Sequence, residues 1–178
     1  MTRMMVDGNC WLAELEAEDG PALEELVEAC ADYYDAAFGR PPFPAEAQSM
    51  YMALPDGADP HSKLLLGVFR SGDAALVGVL DVIRNHPKRA TWDLGLLLLR
   101  PEERGKRLGA QVYGAFEQLA RSEGANEIVL LTREDMHGAH RFWVRRGFVD
   151  EPDPSRTDGF VLMRRYLDDS RSTGDAAL

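Results

Sequence analysis

The chain has only two cysteines, Cys10 and Cys30, in 178 residues. Neither has metal-ligand spacing and two are too few for a disulfide framework, so buried free thiols and no metal site are expected. No stretch approaches the ~18 consecutive apolar residues of a membrane span. The opening MTRMMVDGNCW has no long apolar run after its arginine, so it does not read as a secretion signal. A soluble, cytoplasmic protein with no membrane partner is expected. A P-loop is missing too: no glycine is followed by four residues and Gly-Lys-Ser/Thr, and Lys106 precedes an arginine. No internal repeat is present.

Cations are absent from one region. From Met4 to Gly39 there are ten acidic residues and no lysine or arginine, whereas the rest of the chain carries 20 of each sign. The formal charge of -10 is therefore local. It is either a solvated helix face or an acidic wall that attracts a cationic substrate, and nucleic acid is a poor partner for it.

What is present fits one domain: the length allows a substantial core and 45% of residues are hydrophobic. Cys10 to Leu15 alternates as a first strand. Pro21 to about Ala37 reads as a helix, with Leu23, Leu26, Val27, Cys30, Tyr34 and Phe38 at helical spacing and Gly39 as its stop. RPPFP interrupts regular structure, and a short helix is predicted over Ala45 to Leu54. Lys63 to Arg70 and Ala74 to Arg84 read as an antiparallel hairpin, and Ala90 to Leu99 as a third strand covered on both faces at Leu96 to Leu99. The period then changes: Leu108 to about Ser122 is a helix closed by Gly124, followed by a strand at Glu127 to Thr132. Strand, helix and strand form a crossover whose strands should be parallel. Asp135 can cap a further helix bearing Ala139, Phe142 and Trp143, stopped by Gly147, before strands at Phe148 to Asp150 and Phe160 to Leu167.

The stretch WDLGLLLLRPEERGKRLGA, Trp92 to Ala110, runs from strand through a proline break into a loop of glycines and cations and then into a helix. Unpaired amides at a helix start, the positive end of the dipole and added cations suit a phosphate.

From about Cys10 to Leu167 the residues resemble the GCN5-related N-acetyltransferase superfamily, which moves acetyl from acetyl-CoA to an amine. The likeness rests on RGKRLG, Arg104 to Gly109, similar to the family's pyrophosphate loop except that Arg107 replaces its middle glycine. It also rests on Ala139, Phe142, Trp143, Gly147 and Phe148 in AHRFWVRRGF, where tryptophan takes the place of the usual tyrosine. The resemblance implies an α/β (α+β) fold: a single domain over residues 1–168, with a mixed central sheet, antiparallel N-terminal strands, a parallel β-α-β crossover and about four helices. Residues 169–178 are expected to be a disordered tail.

The same resemblance implies acetyl-CoA as co-substrate, held by the backbone of Leu97 and Leu99 and by the loop Arg104, Gly105, Lys106, Arg107, Gly109 and Ala110, with Phe142 beside it. An N–H near Leu97 would hold the developing oxyanion. The acceptor is expected to be a small amine, cationic if the acidic region faces it, or a peptide, with the protein a monomer or homodimer. An amine of pKa ~10.4 must lose a proton first, which asks for a base. Asp93 and Asp81 are the candidates, each otherwise an ordinary hydrogen-bonded carboxylate. In an unbulged strand Asp93 and Leu97 point to the same side. Trp143 cannot act as a general acid, so water, Tyr33, Tyr34 or His140 would protonate the leaving thiolate. An acyl-CoA-binding sensor without transfer activity, or a plain interaction domain, are the competing classes.

Overall fold

The computed structural model describes residues 3–152 and 158–167; the expected C-terminal tail lies outside them. The described strands are β1 (Met4–Met5), β2 (Cys10–Glu14), β3 (Lys63–Arg70), β4 (Leu76–Arg84), β5 (Thr91–Leu99), β6 (Glu127–Arg133), β7 (Val149–Glu151) and β8 (Phe160–Tyr166). The helices are α1 (Gly20–Ala29), α2 (Ala31–Phe38), α3 (Glu46–Met52), α4 (Leu108–Ser122) and α5 (His137–Arg145). One eight-stranded sheet runs β1-β2-β3-β4-β5-β6-β8-β7. Every pairing is antiparallel except β5 with β6, the strands joined through α4. No described helix is long and apolar enough to cross a membrane.

Five α-helices stand where about four were predicted, because the first long helix breaks at Cys30 (φ -100°, ψ 23°). No glycine or proline marks the break. Cys30 Sγ instead donates to the Leu99 carbonyl at 3.3 Å, a tertiary contact that turns α2 toward the end of β5. Gly39 ends α2 with the left-handed φ of 66° that a helix stop requires. Strand β1 is too short for a periodicity to announce it. Asp135 does not cap α5: its carboxylate takes a two-point contact from Arg133, and the helix starts at His137.

Each sheet face has its own core. Trp92, Leu94 and Leu99 pack with α4 residues such as Val112 and Phe116, whereas Leu98 packs with Leu23, Leu26 and Tyr34 from the N-terminal helices. Strand β5 is thus central, as predicted, with Leu98 and Leu99 buried. Leu96 and Leu97 are only half-buried because the sheet opens beside them.

That opening positions the site. Strands β5 and β6 pair only through Thr91 with Glu127, Trp92 with Ile128 and Asp93 with Val129. A buried clamp holds the closed end: Glu127 accepts from Thr91 at 2.5 Å and pairs with Lys88 and Arg164, both at 2.9 Å. Beyond Asp93 the strands part, and a cleft of about 650 Å³ opens between them.

Candidate active site

Residues Leu94 to Leu99 form one wall of the cleft, Leu130 to Arg133 the other, with the loop before α4 and the inner face of α5 closing it. The register between β4 and β5 slips here: Asp81 faces Leu96 while Val82 faces Leu94, leaving Gly95 as an extra, bulged residue. The bulge reverses side-chain parity. Asp93 and Leu97 therefore lie on opposite faces, contrary to the unbulged expectation. A lone glycine inside a strand was the available signal.

Beyond the bulge the open edge of β5 is set by alternation. The Arg100 amide donates to Val77 on β4 at 2.9 Å, so the backbone groups of Leu99 and Leu97 point to the other edge, into the cleft. The Leu99 carbonyl is already occupied there by Arg104 Nε at 2.9 Å and Cys30 Sγ at 3.3 Å. Leu97 is left as the free edge residue at this depth.

The loop that follows keeps the shape a glycine-rich turn would have. Gly105 has a φ of 74°, and Arg107, in the place of the resemblance's middle glycine, still adopts a φ of 70°. A non-glycine residue pays a strain there of about 1–2 kcal/mol, which the surrounding structure must hold. The return is an array of donors: among the described residues, the amides of Gly105 through Gly109 make no hydrogen bond. They sit at the start of the 15-residue α4, where the dipole adds positive potential. The Ala110 amide is not part of this array, because it donates to Arg107 at 3.0 Å. A methyl at Gly109 would meet Leu99 at 3.5 Å and Phe142 at 3.7 Å, so Gly109 lies against both on the cleft wall.

The loop cations divide. Arg104 lines the cleft, but its guanidinium is spread over both Asp32 carboxylate oxygens at 2.5 and 3.2 Å. The Arg104 hydrogen bond holds the Asp32 carboxyl below its ordinary pKa. Lys106 turns to Glu103 at 3.8 Å and does not line the cleft, whereas Arg107 does. Asp32 was not legible as a site residue; it is one member of the acidic N-terminal region, and only the break at Cys30 brings it to the loop.

Neither predicted base lines the cleft. Asp81 forms an ion pair of 2.6 Å with Lys63, which also donates to the Ala53 carbonyl at 2.9 Å. Burial pushes the Asp81 carboxyl upward and Lys63 opposes it. Asp93 lies at the last paired position before the strands part, and its carboxylate makes no hydrogen bond or ion pair among the described residues. Burial raises its pKa to about 6, with His86 opposing and Asp81 reinforcing the shift.

Trp143 lines the cleft and is held edge-on by Phe142 (4.8 Å), Phe148 (5.4 Å) and Tyr113 (5.8 Å). Tyr33 on α2 reaches the cleft, whereas Tyr34 is buried in the N-terminal core and His140 contacts Asp150 at 2.8 Å. Arg133, Arg145, Arg146 and Phe160 line the cleft without having been singled out by sequence.

The family model described as Acetyltransferase (GNAT) family matches residues 23–148, a span that includes both arms of the crossover and the loop. The chain belongs to that family. It is 31% identical over 106 residues to an aminoalkylphosphonate N-acetyltransferase of Salmonella typhimurium, across 55% of this chain and 67% of that protein. A probable acetyltransferase of the GNAT family from Chromobacterium violaceum superposes with a TM-score of 0.74 at 15% identity, covering 93% of this chain and 86% of that one. The PaiA N-acetyltransferase from Thermoplasma acidophilum, solved in complex with coenzyme A, gives 0.66 at 18% identity, covering 88% and 98%. The mixed sheet with one parallel pair is thus the fold of these acetyltransferases, and family and relative together make this chain an N-acetyltransferase.

Proposed function

We propose that the acetyltransferase uses acetyl-CoA and acetylates the amine of a small molecule or peptide. The observation that carries the donor is the run of unbonded amides from Gly105 to Gly109, facing a cleft whose charged lining residues are all arginines. Such an array suits the pyrophosphate of the coenzyme, and the open edge of β5 suits an extended arm lying alongside it. The Leu97 amide then polarises the thioester carbonyl and holds its oxygen as charge develops.

Asp93 is the better base of the two carboxylates. Asp81 is bound to Lys63, whereas Asp93 is unpartnered, stands at the point of the splay and has a pKa of about 6, near working pH. It draws the proton from the amine through water. The amine nitrogen attacks the carbonyl carbon, the carbon–sulfur bond breaks, and the thiolate takes its proton from water or from Tyr33. Trp143 shapes the cleft without moving a proton.

Glu24, Glu25 and Glu28 stand exposed on α1 and favour approach of a cationic amine. A second reading is favoured by the arginines of the cleft and by the aminoalkylphosphonate relative: an amine that carries an acidic group. Purified protein with acetyl-CoA, assayed against polyamines, basic peptides, amino acids and aminophosphonates, separates them. Turnover of cationic amines alone supports the first, turnover of acidic amines alone replaces it with the second, and binding with no turnover of any amine removes both.

A further inference from the structure

We infer that the end of α5 forms a second anion subsite beside the donor loop, with Arg146 as its main contact and a phosphate monoester, the 3′-phosphate of coenzyme A, as its ligand. The inference rests on the acetyl-CoA reading and adds a subsite to it. Five arginines line the cleft: Arg104, Arg107, Arg133, Arg145 and Arg146. Two are held by the protein's own carboxylates, Arg104 by Asp32 and Arg133 by Asp135. The guanidinium groups of the remaining three make no hydrogen bond or ion pair among the described residues. Of these, Arg146 is half-buried, and its Nε is fully buried without an acceptor. A buried guanidinium donor with no acceptor is costly, and here it marks where an acceptor from outside the chain fits.

Its position says which anion. The Arg146 guanidinium carbon lies 5.7 Å from the centre of the Phe142 ring, and the tip of that ring is within 3.7 Å of where a Gly109 methyl would stand. The unbonded amides and Arg146 are therefore neighbours across one aromatic ring. With the pyrophosphate on the amides, a second anionic group near Phe142 is the phosphate one ribose away. A monoester carries more charge than either single phosphate of the pyrophosphate and presents several oxygens to a guanidinium fork. No carboxylate lines the cleft to compete for it, and Arg145, exposed next in sequence, adds to the attraction.

The test is calorimetric titration of acetyl-CoA and of its 3′-dephospho analogue into the wild type, Arg146→Gln and Arg146→Lys. The wild type should prefer acetyl-CoA by about tenfold or more, the size of one charge-assisted contact. Arg146→Gln should lose most of that preference while binding the dephospho analogue as before. Arg146→Lys, which keeps the charge and most of the volume, should retain part of it and guards against loss of the fold. Equal binding of the two donors by the wild type, or an undiminished preference in Arg146→Gln, would overturn the subsite while leaving the donor reading intact. So would an Arg146→Gln effect confined to acceptor KM. Failure of both donors to bind would overturn the donor reading and the subsite together.

Discussion

The loop after β5 and the carboxylates Asp81 on β4 and Asp93 on β5 lie apart along the central strands, and they manage polarity in opposite ways. At the loop, five consecutive amides from Gly105 to Gly109 are left unbonded, and no carboxylate lines the cleft beside them. At the carboxylates, Asp81 is neutralised by Lys63 and Asp93 is held against ionisation by burial. On the proposed reading the donor meets backbone whose charge distribution is fixed before any ligand arrives, whereas the acceptor meets a titratable side chain, so pH and single substitutions should act more strongly on the acceptor.

The largest effect expected is at Asp93. Replacing it by asparagine should lower kcat about a hundredfold at neutral pH, the typical worth of a positioned base, and remove an acid limb centred near pH 6 in the wild-type profile. A profile unchanged in shape would take Asp93 out of the chemistry. The same substitution should stabilise the fold. The folded carboxyl titrates near 6 against 3.8 in a free side chain, so its ionisation penalises folding fully above about pH 6. That penalty fades as pH falls through about 6 toward 4. Denaturant titration should show Asp93→Asn more stable by about 2 kcal/mol at pH 7 and little changed at pH 3.5.

At Lys63, methionine would strand Asp81 without its partner, and the expected loss of stability is about 3 kcal/mol in thermal or chemical unfolding. If the folded fraction keeps its kcat, the Lys63–Asp81 pair is structural.

A smaller and differently shaped effect belongs to the loop. Gly105→Val places a β-branched residue at a φ of 74°, and Asp32→Asn releases half of the grip on Arg104. Each should raise donor KM about tenfold, from roughly 1–2 kcal/mol of lost loop order, with kcat within about threefold. A fall in kcat at constant donor KM would mean that the loop does not act through binding. Smallest of all, Trp143→Phe should change turnover less than about threefold at every pH, because the indole cannot supply a proton.

The two regions also differ in how far sequence revealed them. The loop's shape was legible because glycines, a proline break and a change of period mark backbone directly. Arg107 looked like an irregularity there, yet it holds the left-handed conformation that a glycine would have. The central crossover and the antiparallel hairpin followed from period for the same reason. What escaped was decided by contacts between distant residues. The turn at Cys30 answers to the Leu99 carbonyl 69 residues away, and it delivers Asp32 to Arg104. Gly95 was visible as a glycine but not as a bulge, so the same-side relation that an unbulged strand would give Asp93 and Leu97 does not hold. Arg146 stands inside AHRFWVRRGF but was not singled out there, since an unsatisfied nitrogen exists only once its neighbours are packed.

The central claim, that the amides from Gly105 to Gly109 receive the donor's pyrophosphate, is tested most directly by following backbone amide resonances during titration with acetyl-CoA and with acetyl-pantetheine, which lacks the pyrophosphate. Acetyl-CoA should give its largest shifts at Gly105 through Gly109, and acetyl-pantetheine should move Leu97 while leaving the loop unchanged. Loop resonances that stay still under saturating acetyl-CoA, or that move equally with both compounds, would contradict it.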